Sequence, residues 1–179
     1  MTRVFLGLGS NQMPVGNLQA GLAELHQRYT VLGESPWYVS PAVGFDGPDF
    51  INLVIEIETD LSLGTLSQQL KSLETEFGRP DDAVKFSSRN LDIDILLYGQ
   101  AVGTFGRVTL PRKDIYKYAF VLHPLLDLSP ELVCPETGKP VSGWLSAVSE
   151  QEILPYQPSA SATVVAANDA LTVRSSALS

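Results

Sequence analysis

Two aspartates separated by one residue, Asp92 and Asp94, are the side chains in the sequence best suited to chemistry. They lie in an apolar stretch, and residues i and i+2 of a β-strand share a face with their Cα atoms about 7 Å apart. Both carboxylates could therefore reach the same hard divalent cations, and Mg²⁺ favours one or two carboxylates together with phosphate oxygens and water. The bare spacing also fits two solvated acids on an exposed sheet face. The alternation assigns four residues to the core side: Leu91, Ile93, Ile95 and Leu97.

Basic residues near this pair point towards phosphate chemistry. Arg89 stands three residues before Asp92, and a guanidinium group matches phosphate oxygens in a two-pronged hydrogen bond. Eight of the 12 basic residues fall between Lys71 and Lys117, although the whole chain has a net charge of -8. This concentration fits a localised anion site, and it equally fits solvated helix faces of mixed charge. The negative total argues against general nucleic-acid binding.

Strands and helices alternate around these residues. Leucines at helical spacing predict two helices, one with Leu18, Leu22, Leu25 and Tyr29 and the other with Leu66, Leu70, Leu73 and Phe77. Strands are predicted at Arg3–Gly9, Thr30–Val39, Phe50–Thr59 and Leu91–Tyr98, with loops at 40–49 and 79–90 and shorter elements at 108–110, 119–128 and 143–148. The order strand, helix, strand, strand, helix, strand is typical of a ferredoxin-like α+β fold. That fold is an antiparallel sheet with flanking helices on one face, which leaves the other face for loops and a ligand.

The 179 residues suffice for one domain, which we place at 1–156. Residues 157–179 contain no aromatic side chain and are expected to form a flexible tail. Cys134 is the only cysteine, so neither an internal disulfide nor a cysteine zinc site is expected. With no long apolar run and no signal peptide in view, we expect a cytoplasmic monomer without membrane or nucleic-acid partners.

Three motifs resemble one enzyme family, the 6-hydroxymethyl-7,8-dihydropterin pyrophosphokinases. They are Arg89-x-Leu91-Asp92-Ile93-Asp94-Ile95-Leu96, Gly9-Ser10-Asn11 and Phe50-x-Asn52, and the resemblance runs from about Arg3 to Val148. It implies the αβα pyrophosphokinase fold and an enzyme of folate biosynthesis. Such an enzyme transfers pyrophosphate from ATP to a pterin alcohol and releases AMP.

The resemblance also implies roles for individual residues. The catalytic group would be Arg79, Arg89, Asp92 and Asp94, with the two aspartates holding two Mg²⁺ ions. Pterin binding is implied for Gly9, Ser40, Pro41, Val43, Phe50, Asn52 and Phe120, with the two phenylalanines on either side of the ring. ATP binding is implied for Lys71, Glu74, Phe86, Arg89, Ile95, Arg107, Thr109, Arg112 and Lys113.

The chain departs from the family pattern at several positions. Arg112-Lys113 replaces the usual His-Tyr, while Tyr118 and Asp81 stand where arginines are usual. Arg112 and Lys113 can restore the positive charge but not its geometry. These differences suggest a divergent paralogue with altered kinetics or substrate, and they leave a non-catalytic pterin- or nucleotide-binding protein as an alternative. A generic ferredoxin-like interaction domain is a third hypothesis, and it leaves the arginine and the two aspartates unexplained.

Overall fold

The computed structural model describes residues 1–78 and 90–158. The predictions made for Arg79, Asp81, Phe86 and Arg89, and for the tail beyond residue 158, therefore lie outside the described residues.

An antiparallel sheet of six strands forms the centre of the described part of the chain. Its strands are β1 (Thr2–Ser10), β2 (Thr30–Glu34), β3 (Trp37–Ser40), β4 (Phe50–Thr59), β5 (Asp92–Tyr98) and β8 (Leu154–Tyr156). The order across the sheet is β5-β1-β4-β3-β8, and β2 also pairs with β4. A separate hairpin consists of β6 (Gly103–Phe105) and β7 (Val108–Leu110). The strand order confirms the predicted ferredoxin-like fold.

Two helices cover one face of the sheet, as the leucine spacing predicts. They are α1 (Pro14–Arg28) and α2 (Leu63–Glu76). Their leucines are buried against alternate residues of β1 and β4, which include Leu6, Leu53 and Ile55. Ser62 caps α2 by accepting a hydrogen bond from the backbone N–H of Thr65 at 3.2 Å. This face forms the larger core and leaves the opposite residues of the same strands for the second face.

The second face is also covered in part, so the prediction that helices lie on one face only was wrong. It carries α3 (Asp114–Lys117), α4 (Ala119–Leu128) and a 3₁₀ helix (Val141–Val148). The buried apolar residues of α4 require a partner surface, which Phe5, Val54 and Leu96 of the sheet provide. The part of this face that α4 leaves open becomes a pocket. No helix in the described ranges is long and apolar enough to cross a membrane.

The predicted strand 30–39 is two strands, because Ser35 and Pro36 interrupt it. Proline has no N–H group to donate to a sheet ladder, so a continuous strand is disfavoured at this point. The Ser35 side chain pairs with the backbone of β4 at this interruption, because its Oγ accepts a hydrogen bond from the N–H of Val54 at 2.9 Å. Both β2 and β3 therefore stay paired with β4.

A β-bulge in β5 changes which residues face the pocket. Leu6 of β1 pairs with Ile95, whereas the preceding Phe5 pairs with Leu97, so Leu96 is an additional residue without a partner in the register. As a result Leu97 joins the core of the second face, and its predicted place beside Ile93 and Ile95 was wrong. The bulge leaves Asp92 and Asp94 on the second face.

Candidate active site

A cavity of about 470 Å³ opens on the second face of the sheet. It brings together ten residues that the sequence analysis assigned to binding or catalysis: Gly9, Ser40, Pro41, Val43, Phe50, Asn52, Asp92, Asp94, Arg112 and Phe120. All seven residues assigned to the pterin line this cavity, and so do both aspartates assigned to metal. The cavity thus has an aromatic side, which contains Phe50 and Phe120, and an acidic side, which contains Asp92 and Asp94.

Strand register explains why these residues meet. Gly9 of β1 pairs with Asn52 of β4 on one side and with Asp92 of β5 on the other, so the three lie in one row across the sheet. Gly9 has to be glycine for this arrangement, because a Cβ there would stand 2.6 Å from Nδ2 of Asn52. Because Gly9 has no side chain, the Asn52 carboxamide has room beside it. The Gly9 backbone forms the floor of the cavity.

Two buried polar atoms in this cavity have no hydrogen-bond partner among the described residues. They are Oγ of Ser40 and Oδ1 of Asn52. Nδ2 of Asn52 donates to the carbonyl of Leu8 at 3.5 Å, the outer limit for such a bond. A buried polar group left unpaired costs about 1–3 kcal/mol, and most such groups in proteins have partners. A ligand with a polar edge would supply the missing partners.

Two aromatic rings of the cavity are held by neighbouring rings. Phe50, the first residue of β4, meets Phe45 edge-on, with centroids 6.3 Å apart and planes at 87°. Phe120, near the start of α4, stacks on Tyr118 with centroids 5.0 Å apart and planes at 18°. Tyr118 thus supports an aromatic wall. Rings fixed in this way are suited to stack on a planar ligand.

The acidic side of the cavity combines Asp92 and Asp94 with Arg112. Arg112 Nη2 lies 3.6 Å from Oδ1 of Asp94, and Arg112 Nε donates to Oδ2 of Asp114 at 3.1 Å. Burial alone would lower the pKa of Arg112, but the negative charges of Asp94 and Asp114 outweigh it and raise the pKa. The Arg112 backbone N–H donates to the carbonyl of Leu96 at 2.9 Å, which ties this segment to β5. The guanidinium therefore stays charged at the mouth of the cavity.

The donor set of this acidic side fits a hard divalent cation that also binds a ligand. Asp92 and Asp94 project from one strand into one cavity, and their oxygens are the ligands that Mg²⁺ prefers. Within residues 1–78 and 90–158, no group of three or more histidine, cysteine, aspartate or glutamate side chains could hold a metal on its own. Phosphate oxygens and water would therefore have to complete the coordination, which is how Mg²⁺ is commonly bound in nucleotide sites.

Six described residues assigned to ATP do not line this cavity: Lys71, Glu74, Ile95, Arg107, Thr109 and Lys113. Glu74 is buried and its Oε2 accepts the N–H of Ile93 at 2.6 Å, so it fixes the start of β5. Ile95 is part of the larger core, and Arg107 and Thr109 are exposed at the β6–β7 hairpin. Their assignment to ATP stays a prediction.

The cavity lining also includes residues that were not assigned to the site, and those with charged or aromatic side chains are Phe45, Asp114, Lys117 and Tyr118. Lys117 is exposed, and its ammonium group makes no ion pair within the described ranges. The concentration of basic residues between Lys71 and Lys117 was a signal for it, but the sequence could not show which lysine reaches the cavity. Phe45 lies in the same loop as Pro41 and Val43, and its edge-on contact with Phe50 brings it to the cavity.

The fold and the cavity together define a class of protein: an α+β domain with a site for a planar, hydrogen-bonding small molecule beside an acidic, cation-binding strand. The chain belongs to the 7,8-dihydro-6-hydroxymethylpterin-pyrophosphokinase (HPPK) family, whose profile matches residues 5–130. This confirms the resemblance inferred from the motifs. The family uses ATP as a co-substrate with Mg²⁺.

Relatives with this name match most of the chain. A 2-amino-4-hydroxy-6-hydroxymethyldihydropteridine pyrophosphokinase of Synechocystis sp. is 35% identical over 156 residues, which are 86% of this chain and 80% of the relative. One of Haemophilus influenzae is 36% identical over 141 residues, 76% of this chain and 88% of the relative. Among solved structures, wild-type HPPK-DHPS of Plasmodium falciparum with pteroate shares the fold at a TM-score of 0.66 and 11% identity. That match covers 82% of this chain and 42% of the longer Plasmodium chain.

Proposed function

We propose that this protein transfers the pyrophosphoryl group of MgATP to 6-hydroxymethyl-7,8-dihydropterin, a reaction of folate biosynthesis. The observation that carries the proposal is the pair of unpartnered buried atoms, Oγ of Ser40 and Oδ1 of Asn52, in a cavity that also contains two aspartates. The relatives in Synechocystis and Haemophilus bear the name of this activity, which favours an enzyme over the non-catalytic alternative.

The aromatic side of the cavity suits the pterin. Phe50 and Phe120 would stack on the ring, and Ser40 and Asn52 would pair with the donors and acceptors at its edge. Pro41 and Val43 would close the cavity from the loop that follows β3. The exclusion of water on this side strengthens each of these hydrogen bonds and protects ATP from hydrolysis.

The acidic side suits the triphosphate. Asp92 and Asp94 would hold Mg²⁺, and we propose two ions, which when bound neutralise and align the phosphate oxygens. The hydroxymethyl oxygen of the pterin attacks the β-phosphorus while the bond to the oxygen bridging the α-phosphorus breaks, so AMP leaves. Arg112 and Lys117 would bring positive charge to this side.

Other roles stay proposals from the sequence. Arg79 and Arg89 would neutralise charge on the transferred group, and Phe86 would cover ATP, but all three lie outside the described residues. ATP contacts are proposed for Lys71, Glu74, Ile95, Arg107, Thr109 and Lys113. We also propose that the domain at 1–156 works as a cytoplasmic monomer.

A direct assay tests the function. We expect the protein, MgATP and 6-hydroxymethyl-7,8-dihydropterin to give AMP and pterin diphosphate in equal amounts. AMP without pterin diphosphate would indicate hydrolysis of ATP to AMP and pyrophosphate instead. Tight pterin binding without any AMP would favour the non-catalytic alternative, and neither binding nor AMP would refute the proposal.

The floor of the cavity gives a sharper test of the pterin site. In Gly9→Ala the new methyl group would meet Nδ2 of Asn52 at 2.6 Å, so the carboxamide must move. We expect pterin affinity to fall about tenfold, which corresponds to about one hydrogen bond of 1.4 kcal/mol, with ATP affinity unchanged. Gly16→Ala is the matched control, because a Cβ there meets nothing within 4 Å. Equal pterin affinity in the two variants, measured by titration calorimetry, would contradict the role of Asn52.

A further inference from the structure

The side chain of Gln151 joins two backbone groups on either side of Tyr118. Its Oε1 accepts the N–H of Ala119 at 2.7 Å, and its Nε2 donates to the carbonyl of Lys117 at 2.6 Å. Gln151 comes between the 3₁₀ helix and β8, 32 residues beyond Ala119. One carboxamide therefore uses both its donor and its acceptor on a single turn from a distant part of the chain.

This turn depends on outside partners because two helices meet there. Lys117 is the last residue of α3 and Ala119 is the first residue of α4, so the Lys117 carbonyl and the Ala119 N–H have no partner within their own helices. Tyr118 is the C-cap residue of α3 and the N-cap residue of α4. Its backbone is extended, and its side chain makes no capping hydrogen bond. Gln151 pairs one backbone group at each of these helix ends and, together with the hydrogen bond from the Tyr118 N–H to the Asp114 carbonyl, restrains the backbone at Tyr118.

The same turn forms one wall of the cavity. Lys117, Tyr118 and Phe120 all line it, and the ring of Tyr118 stacks on the ring of Phe120. A rotation of the backbone at Tyr118 would therefore tilt both rings together. Gln151 itself is exposed and does not line the cavity. Its hydrogen bonds thus act on the shape of the wall rather than on a bound molecule directly.

We propose that Gln151 is a positioning residue for pterin binding: its carboxamide holds the Lys117–Ala119 turn so that Phe120 presents its face to the pterin. This inference rests on the proposed function, since it takes the pterin as the ligand of the wall. Gln151 acts only through Tyr118 and Phe120. The two aspartates of the acidic side project from β5, which has no hydrogen bond to the Gln151 side chain.

The test removes the carboxamide while keeping the length of the side chain. We expect Gln151→Met to weaken binding of 6-hydroxymethylpterin about tenfold, measured with a saturating nonhydrolysable ATP analogue present. The affinity for the ATP analogue alone should change less than about twofold. Glu152→Ala is the matched control, because this neighbouring exposed residue makes no hydrogen bond or ion pair in the described part of the chain. The control should bind both ligands like the wild type.

A double-mutant cycle separates positioning from a general structural role. If Gln151 acts through the ring of Phe120, then adding Gln151→Met to Phe120→Ala should cause no further loss of pterin affinity. Fully additive losses, equal losses for pterin and ATP analogue, or a Gln151→Met protein that binds pterin normally would each overturn the inference.

The proposed function can fail separately. AMP release by the wild type together with normal pterin binding in Gln151→Met refutes the inference alone. Selective loss of pterin binding in a protein that never releases AMP refutes the catalytic function alone. A wild type that does not bind 6-hydroxymethylpterin refutes both.

Discussion

We expect AMP release to fall at least about 1,000-fold in Asp92→Ala and in Asp94→Ala, which corresponds to about 4 kcal/mol of transition-state stabilisation. Each change removes a carboxylate that we propose holds Mg²⁺ against the triphosphate. The fold should persist, because the core side of β5 is formed by Ile93 and Ile95 on the opposite face. AMP release should be measured beside circular dichroism and thermal unfolding of the same samples.

Asp60→Ala is the matched control for these variants. Asp60 is an exposed acid whose ion pair in the described part of the chain is with the amino terminus at 3.5 Å. Its loss removes the same charge from the protein without touching the cavity. If Asp92→Ala and Asp94→Ala were as active as Asp60→Ala, the proposed metal site would have to be abandoned.

The second large effect is expected for the pterin. Asn52→Leu would leave donors and acceptors of the bound ring unpaired, at about 1–3 kcal/mol for each group, so pterin affinity should fall between about 10-fold and 100-fold. Phe120→Ala removes one stacking surface and should weaken pterin binding about as much. Both proteins should bind a nonhydrolysable ATP analogue with unchanged affinity, as titration calorimetry would show.

The aspartate variants provide the opposite pattern in the same experiment. Asp92→Ala should weaken binding of the magnesium complex of the ATP analogue and leave binding of the pterin largely unchanged. This crossed result would assign one ligand to each side of the cavity. Normal pterin binding by folded Asn52→Leu and Phe120→Ala proteins would show that the proposed pterin pocket does not exist.

The sequence predicted the elements that local pattern determines. Alternation placed Asp92 and Asp94 on one strand face, and leucine spacing located α1 and α2. The break at Pro36 was also visible in principle, because proline is rare inside paired strands. The β-bulge in β5 was not visible in the sequence, because it depends on how β5 aligns with β1. Leu96 has no partner in β1, and this one additional residue moves Leu97 to the second face.

Contacts between distant segments account for the rest of the site. α4 is short and apolar on several sides, so its spacing does not indicate which surface it covers. The carboxamide of Gln151 binds a turn that lies more than thirty residues earlier in the chain, and no local sequence pattern predicts such a contact. The exposed position of Lys117 at the cavity likewise follows from how α3 is placed, not from its neighbours in the sequence.

The position of β1 between β4 and β5 has a consequence for how this site can evolve. Gly9, on the floor of the cavity, belongs to a strand that is hydrogen-bonded on both edges, whereas the walls come from segments 40–50 and 112–120. Amides of such a central strand exchange with solvent mainly when the domain opens globally, while segments outside the sheet, such as 41–49 and 112–120, can open locally. Within segment 112–120, Ile115 and Ala119 are buried in the core, whereas Arg112, Lys113 and Tyr118 are exposed or partly exposed, so replacements at these three positions cost less stability than replacements on the floor. Substitutions at these wall positions can therefore change the substrate preference while Gly9 on the floor is retained.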